Sequence, residues 1–231
     1  MSRFARRHLL GLEGYSRDEL EFLLSTAASF KEISERNIKR VPTLRGKTVV
    51  SFFCEESTRT RVSFEIAAKR MSADFVSLSG AASSVKKGES LLDTTRNLDA
   101  MRPDIIILRH SSSGAAAFLA ERVSCAIVNA GDGAHEHPTQ ALVDLLTISE
   151  HKPQLAGLTV AIVGDVIHSR VARSNLFALR TLGAQVRLVG PPTFLPPEAS
   201  TWGEVHHDLR EGVRDADVIM MLRVQLERQG R

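Results

Sequence analysis

Five consecutive residues, Ser57-Thr58-Arg59-Thr60-Arg61, have the side chains best suited to binding an anion. They follow a short apolar run and open a segment with helical periodicity, so their hydroxyls and backbone N–H groups cluster at a first helical turn. The helix dipole favours an anion there, and Arg59 can add charge-assisted hydrogen bonds to a phosphate. A plain N-cap is the alternative, but capping needs only one Ser or Thr, so we favour an anion site.

Further basic residues stand where a strand would end or a helix would begin. Arg109 and Arg223 each end an apolar run, and Arg170 opens a helical segment. Because ligands of α/β proteins bind at the carboxyl ends of parallel strands, these arginines are candidates for binding negative charge. His137 precedes Pro138, which suits the first helical position, so we expect His137 to be an N-cap and a neutral hydrogen-bond donor.

The polar segment 83–90 places Lys86 and Lys87 beside serines and Gly88. Such a loop could supply a mobile cation to a phosphate, and a plain solvated loop is the alternative interpretation.

Other kinds of site are not expected. His135, Glu136 and His137 lack a further nearby ligand, so they do not form a plausible zinc site. The turn at 164–171 lacks the glycine pattern of a dinucleotide site, and no Ser-His-Asp or Cys-His arrangement stands out. We therefore expect a direct transfer reaction without metal or cofactor, in which arginines bind charge and a neutral donor polarises a carbonyl.

Short apolar runs alternate with helical patterns through most of the chain, which predicts an α/β fold with parallel sheets. The predicted strands are Thr48–Cys54, Asp74–Leu78, Asp104–Arg109, Ala126–Asn129, Thr159–Gly164, Val186–Val189 and Val218–Arg223. The predicted helices are Asp18–Arg36, Ser57–Met71, Ser90–Met101, Ala115–Arg122, Pro138–Glu150 and Arg170–Leu182.

A break at 151–157 divides this pattern into two doubly wound parallel-sheet domains, 1–150 and 151–231. The last predicted strand ends a few residues before the chain does, and a parallel strand needs cover on both faces. We therefore expect the second domain to be truncated at its C-terminal end.

Composition excludes several classes of protein. The net charge of +3 over 231 residues is too small to suggest a nucleic-acid surface. No apolar run approaches the roughly 18 residues of a membrane span. Cys54 and Cys125 lie far apart in apolar runs, which predicts buried free thiols in a cytoplasmic protein.

Taken together, the motifs resemble those of the aspartate carbamoyltransferase family, from about His8 to the last residue. The segment Ser57–Arg61 resembles the carbamoyl phosphate motif of all carbamoyltransferases. Three further segments resemble the aspartate branch, namely 83–89, His137-Pro138-Thr139-Gln140, and Arg223-Val224-Gln225 with Glu227-Arg228 after it. The ornithine branch carries a cysteine where this chain has Thr139.

The resemblance implies that the carbamoyl group of carbamoyl phosphate is transferred to the α-amino group of L-aspartate, an early step of pyrimidine biosynthesis. It implies that carbamoyl phosphate is bound by Ser57, Thr58, Arg59, Thr60, Arg109, His137, Gln140, Ser83 and Lys87. L-Aspartate would be bound by Lys87, Arg170, Arg223 and Gln225. The residues implied in catalysis are Arg59, Thr60, Arg109, His137 and Lys87.

By the same resemblance, Ser83 and Lys87 reach into the site of a neighbouring subunit, which requires a homotrimer. A regulatory chain or a dihydroorotase partner is also possible in this family, whereas no cofactor, metal, nucleic acid or membrane partner is implied. Two alternatives remain: an ornithine-type carbamoyltransferase, and a truncated, non-catalytic scaffold that keeps the phosphate site.

Overall fold

The computed structural model of the chain describes residues 4–79 and 89–225, which form eight strands and eight α-helices. The strands are β1 (Thr48–Phe53), β2 (Asp74–Ser79), β3 (Ile105–His110), β4 (Ala126–Asp132), β5 (Thr159–Val163), β6 (Gln185–Val189), β7 (Glu204–His206) and β8 (Val218–Met221). The helices are α1 (Arg17–Glu35), α2 (Thr58–Arg70), α3 (Leu91–Ala100), α4 (Ala115–Ala120), α5 (Pro138–His151), α6 (Arg170–Thr181), α7 (Ala199–Trp202) and α8 (Leu209–Val213). A short 3-10 helix spans Pro192–Phe194.

The first of two compact units comprises residues 1–10 and 26–133. Its sheet has the strand order β2-β1-β3-β4, and every pairing is parallel. The central strands β1 and β3 are apolar and buried almost throughout, as the continuous Val, Ile, Leu and Phe runs predict. Phe52, Ile106 and Leu108 are among the buried side chains that form its core.

The second unit comprises residues 11–25 and 134–231. Its sheet has the order β7-β6-β5-β8, again with every pairing parallel. Strand β5 is buried along most of its length, because it lies between β6 and β8. Strand β8 lies at the edge, and its side chains alternate between half-buried and exposed.

Each sheet has one place where the strand order reverses. In the first sheet the chain runs outward from β1 to β2 on one side and from β3 to β4 on the other. In the second sheet it runs outward from β5 through β6 to β7 on one side, and β8 lies on the other. The reversal therefore falls between β1 and β3 in one sheet and between β5 and β8 in the other. Ligands of open α/β sheets bind outside the carboxyl ends of the strands at such points.

The predicted α/β fold with two parallel sheets is confirmed, with differences at its edges. Strand β8 ends at Met221, so Arg223 lies in the segment after it rather than in the strand. The elements β7, α7 and α8 were not predicted, since segments of three to five residues are too short to show a periodic pattern. Among the described helices, none combines the length and the apolar character needed to cross a bilayer.

The two compact units differ from the predicted domains, which divide at 150/151. The first unit ends at Gly133, and α5 belongs to the second unit. Contacts between α5 and α6 explain this assignment, since Asp144 on α5 accepts a hydrogen bond from Asn175 on α6 at 2.8 Å. The division into functional domains at 150/151 stays a prediction.

Candidate active site

In the first unit, the predicted phosphate motif lies at the carboxyl end of β1, at the point where the strand order reverses. Ser57 is the N-cap of α2, with φ −164°, and Thr58 is the first helical residue. The Ser57 side chain makes no capping hydrogen bond, so capping does not account for its hydroxyl. Thr58 and Arg59 are exposed at the same turn. Hydroxyls, backbone N–H groups and a guanidinium thus face solvent where the helix dipole favours an anion.

Arg109 lies near the carboxyl end of β3, the strand beside β1. The two strand ends are joined directly, since the Cys54 N–H donates to the Arg109 carbonyl oxygen at 2.9 Å. The Arg109 side chain is buried and donates from Nη1 to the Ala130 carbonyl oxygen at 3.1 Å. Nη2 donates to Glu55 Oε1 at 2.9 Å. These two contacts hold the buried guanidinium in one position at the end of β3, the neighbour of the strand that leads to the Ser57–Thr60 turn.

Glu55 was not identified from the sequence. The sequence does contain a signal for its role, because Glu55 stands two residues before the predicted anion site. A carboxylate there weakens anion binding unless a basic partner neutralises its charge. Its partner, Arg109, is 54 residues away along the chain and becomes a neighbour only when β1 pairs with β3.

In the second unit, His137 is the N-cap of α5 and Pro138 is its first residue, as predicted. The His137 side chain is buried, and its ring Nδ1 lies 3.5 Å from Thr139 Oγ1. The His137 backbone N–H donates to Ser174 Oγ at 2.8 Å, which joins the start of α5 to α6. This hydrogen bond fixes the first turn of the helix that also carries Gln140.

The residue before His137 is Glu136, whose carboxylate is buried. In the sequence it was considered only as a metal ligand. Glu136 is 1% exposed and accepts hydrogen bonds from Ser174 Oγ at 2.8 Å and from the Leu12 N–H at 2.7 Å. Burial raises the pKa of Glu136, and these hydrogen bonds act in the opposite direction. Glu136 therefore supports Ser174, which in turn holds the backbone of His137.

Gln140 is the third residue of α5, and its side chain is hydrogen-bonded to the next turn of the helix. Its Nε2 donates to Asp144 Oδ1 at 2.9 Å, and Asp144 Oδ2 accepts from Asn175 Nδ2 on α6 at 2.8 Å. The sequence singled out Gln140, but it gave no reason to connect Gln140 with Asp144 or Asn175.

Three of the residues predicted to bind aspartate, Arg170, Arg223 and Gln225, lie at the reversal point of the second sheet. Arg170 begins α6, the helix that follows β5, and is 2% exposed. Arg223 and Gln225 follow β8. The segment after β8 is joined to the loop between β5 and α6, because the Gln225 N–H donates to Asp165 Oδ2 in that loop at 3.1 Å. Each sheet therefore presents predicted site residues at the place where its strand order reverses.

The remaining predicted site residues, Ser83 and Lys87, lie outside the described residues. Within the described parts of the chain, no group of three or more His, Cys, Asp or Glu side chains is arranged to hold a metal ion.

The carbamoyl phosphate-binding domain of the aspartate/ornithine carbamoyltransferase family matches residues 7–150 of this chain. The chain is 58% identical over 230 residues to the aspartate carbamoyltransferase catalytic subunit of Geobacter sulfurreducens. That match covers 99% of this chain and 74% of the relative. The catalytic subunit of Geotalea daltonii is 59% identical over 230 residues, with the same coverage. The chain thus spans about three quarters of the length of these relatives.

Solved structures agree with this assignment. The crystal structure of aspartate transcarbamoylase from Trypanosoma cruzi in complex with carbamoyl phosphate matches with a TM-score of 0.87 and 31% identity. It covers 96% of this chain and 72% of that chain. Ornithine carbamoyltransferase from Pyrococcus furiosus also reaches a TM-score of 0.87, with 32% identity over 100% of this chain and 76% of that chain.

Fold alone does not separate the two specificities, since an aspartate and an ornithine enzyme match this structure equally well. Sequence identity separates them, because the relatives at 58% and 59% identity are aspartate carbamoyltransferase catalytic subunits. This chain belongs to the aspartate/ornithine carbamoyltransferase family, within the group of aspartate carbamoyltransferase catalytic subunits.

Proposed function

We propose that this chain transfers the carbamoyl group of carbamoyl phosphate to the α-amino group of L-aspartate, with N-carbamoyl-L-aspartate and phosphate as products. The observation that carries the proposal is that the paired strands β1 and β3 bring the predicted anion-binding residues to the same edge of the sheet. There the Ser57 hydroxyl makes no capping bond and the Arg109 guanidinium is buried in a fixed position. Membership of the family assigns carbamoyl phosphate as the anion.

Carbamoyl phosphate binding needs groups for its phosphate and for its carbamoyl end. Ser57, Thr58, Arg59 and Thr60 bind the phosphate with hydroxyls, backbone N–H groups and one guanidinium. In this proposal Arg109 contacts both the phosphate and the carbonyl oxygen. His137 and Thr60 add hydrogen bonds to that oxygen, and Gln140 binds the carbamoyl nitrogen.

In the chemical step, the unprotonated α-amino group of aspartate attacks the carbonyl carbon. The new C–N bond forms as the bond from that carbon to the phosphate oxygen breaks, and the departing phosphate accepts the proton from the amine. Arg109 stabilises the negative charge that develops on the carbonyl oxygen, and its two fixed contacts keep it in place without reorganisation. Holding both substrates in line then lowers the barrier further through proximity.

The aspartate substrate carries two carboxylates, so its site needs several cations beside an already anionic partner. Arg170 and Arg223 supply these cations together with Lys87, and the neutral amide of Gln225 adds hydrogen bonds. Arg170 suits this role because it begins α6 and is buried, so its position is determined by the fold.

The decisive assay measures carbamoyl transfer by this chain from carbamoyl phosphate to L-aspartate, with L-ornithine offered in parallel. We expect carbamoylated product with aspartate alone. Product with ornithine alone would favour the ornithine alternative and would overturn the use of Thr139 as a marker of the aspartate branch. Binding of carbamoyl phosphate without product from either amine would favour the non-catalytic scaffold.

We further propose that the chain works as a homotrimer in the cytoplasm, because the family resemblance places Ser83 and Lys87 in the site of a neighbouring subunit. Association with a regulatory chain or a dihydroorotase belongs to the same proposal. Light scattering tests the assembly: a trimer mass is expected, and a fully active monomer would contradict it.

A further inference from the structure

The side-chain amide of Gln140 is held in one orientation by its neighbours. A primary amide has two donor hydrogens at one end and an acceptor oxygen at the other, whereas an ionised carboxylate only accepts. Gln140 Nε2 donates to Asp144 Oδ1 at 2.9 Å. The reversed orientation would place Gln140 Oε1 against Asp144 Oδ1, two acceptors at hydrogen-bond distance, and this contact is repulsive. Gln140 Oε1 therefore points away from Asp144.

Asp144 is itself held from the opposite side. Its second oxygen accepts from Asn175 Nδ2 at 2.8 Å, and the same Asn175 nitrogen donates to the Val171 carbonyl oxygen at 3.0 Å. Asn175 is fully buried, so α6 provides a rigid support for this hydrogen-bonded chain. Both oxygens of Asp144 are therefore hydrogen-bonded, and the carboxylate is held in one orientation against Gln140.

We propose that Asp144 is a positioning and specificity-determining residue, which turns the oxygen of the Gln140 amide toward the ligand so that it accepts a hydrogen bond from an N–H group. The inference rests on the proposed function, in which Gln140 contacts the carbamoyl nitrogen. It adds that the chain discriminates an acyl phosphate bearing NH2 from one bearing CH3, because an acceptor that the ligand covers and leaves without a donor weakens binding.

The hydrogen bonds of Asp144 suit an ionised carboxylate, because Asp144 accepts both of them. Burial raises the pKa of Asp144, while the hydrogen bonds from Asn175 and Gln140 act in the opposite direction. Both hydrogen bonds are donated to Asp144, and the ionised carboxylate accepts both at once. A neutral carboxyl group would lose one of these acceptors.

The test is a binding comparison that does not depend on turnover. Isothermal titration calorimetry of the full chain would use three probes: phosphonoacetamide, 2-oxopropylphosphonate and inorganic phosphate. The first two have nearly the same shape and differ in carrying NH2 or CH3 beside the carbonyl. We expect the chain to bind the amide about tenfold more tightly than the ketone. Asp144→Ala should weaken amide binding by about fivefold and leave the other two probes within about twofold.

Two further variants separate positioning from general damage. In a Gln140→Ala background, Asp144→Ala should have no further effect on the preference for the amide, because the group it orients is gone. Glu150→Ala, which removes an exposed carboxylate from the same helix, should leave all three affinities unchanged. Circular dichroism would verify that each variant is folded.

Equal weakening of all three probes by Asp144→Ala would overturn the proposal and show a structural role. Unchanged amide preference in that variant would overturn it as well. If the unmodified chain bound none of the probes, including inorganic phosphate, the proposed function itself would fail, and the inference would fail with it. If it bound phosphate but did not prefer the amide, only the inference would fail.

Discussion

Phe53 and Arg109 are register partners at the carboxyl ends of the parallel strands β1 and β3. Both strands therefore end at the same level, and the residues that follow Phe53 reach Arg109: Cys54 through the backbone and Glu55 through an ion pair. The turn at Ser57–Thr60 begins only two residues later. This register brings the two strand-end motifs to the same edge of the sheet.

Arg59→Ala should abolish most of the affinity for carbamoyl phosphate. Arg59 is exposed in the first turn of α2, so its removal leaves the core intact while deleting charge-assisted hydrogen bonds. Such bonds contribute about 2 kcal/mol or more, so we expect the Kd to rise about thirtyfold. Titration calorimetry checks this value. Arg45→Ala is a matched control, since Arg45 is exposed near the amino end of β1. A near-normal Kd for Arg59→Ala would refute the phosphate site.

Gly11→Ala should destabilise the second unit through one contact. A Cβ at Gly11 would overlap Glu136 Oε1, and the buried Glu136 carboxylate is held by Leu12 and Ser174. We expect a loss of about 2 kcal/mol in the free energy of unfolding, measured by urea denaturation. In a Glu136→Ala background the same change should cost less than about 0.5 kcal/mol, because the obstructing carboxylate is absent. An equal cost in both backgrounds would show that the contact with Glu136 is not the cause.

Asp104 immediately precedes β3 in the first sheet, and Asp217 immediately precedes β8 in the second. Both carboxylates should stabilise the fold in a pH-dependent way. Hydrogen bonds from Lys47 and the Thr48 N–H lower the pKa of Asp104 below its ordinary value of 3.8. The Thr159 N–H and Lys152 lower the pKa of Asp217 in the same way.

A carboxyl group with a lowered folded-state pKa stabilises the protein above its unfolded value of 3.8, and this contribution is lost as the pH falls through the folded-state pKa. Asp104→Asn should therefore unfold at a lower urea concentration than the unmodified chain at neutral pH. The difference should shrink progressively below pH 3.8. Glu13→Gln, at an exposed position, serves as the control. A difference that is constant with pH would contradict the assignment.

Both cysteines should react slowly in the folded protein. Cys125 is buried, as predicted, whereas Cys54 is only partly buried, and both are free thiols. Burial raises the pKa of Cys54 to about 11 and that of Cys125 to about 12. Because the thiolate is the nucleophile, alkylation by iodoacetamide near pH ~8 should be about a hundredfold slower than in the urea-unfolded chain. Mass spectrometry over time gives both rates, and rapid labelling of the folded chain would contradict the raised pKa of these thiols.

The sequence alone was sufficient to predict most of the elements. The apolar runs that become β1, β3 and β5 are long enough to be identified as buried parallel strands, and Pro138 correctly marks His137 as an N-cap. These features are local: strand patterns, turn residues and caps depend on neighbours within a few positions. The shortest elements of the second unit carry no such pattern and were missed.

The sequence also predicts the residues of the candidate site, since Ser57–Thr60, Arg109, His137, Gln140 and Arg170 have the chemistry that an anionic substrate pair requires. Only the tertiary structure decided what holds them. The supporting contacts are Glu55 with Arg109, Glu136 with Ser174, and Asp144 with Asn175, which are 54, 38 and 31 residues apart. Such contacts depend on which strands pair and which helices pack together. No local pattern encodes them, because they form only after the sheets have ordered their strands around each reversal point.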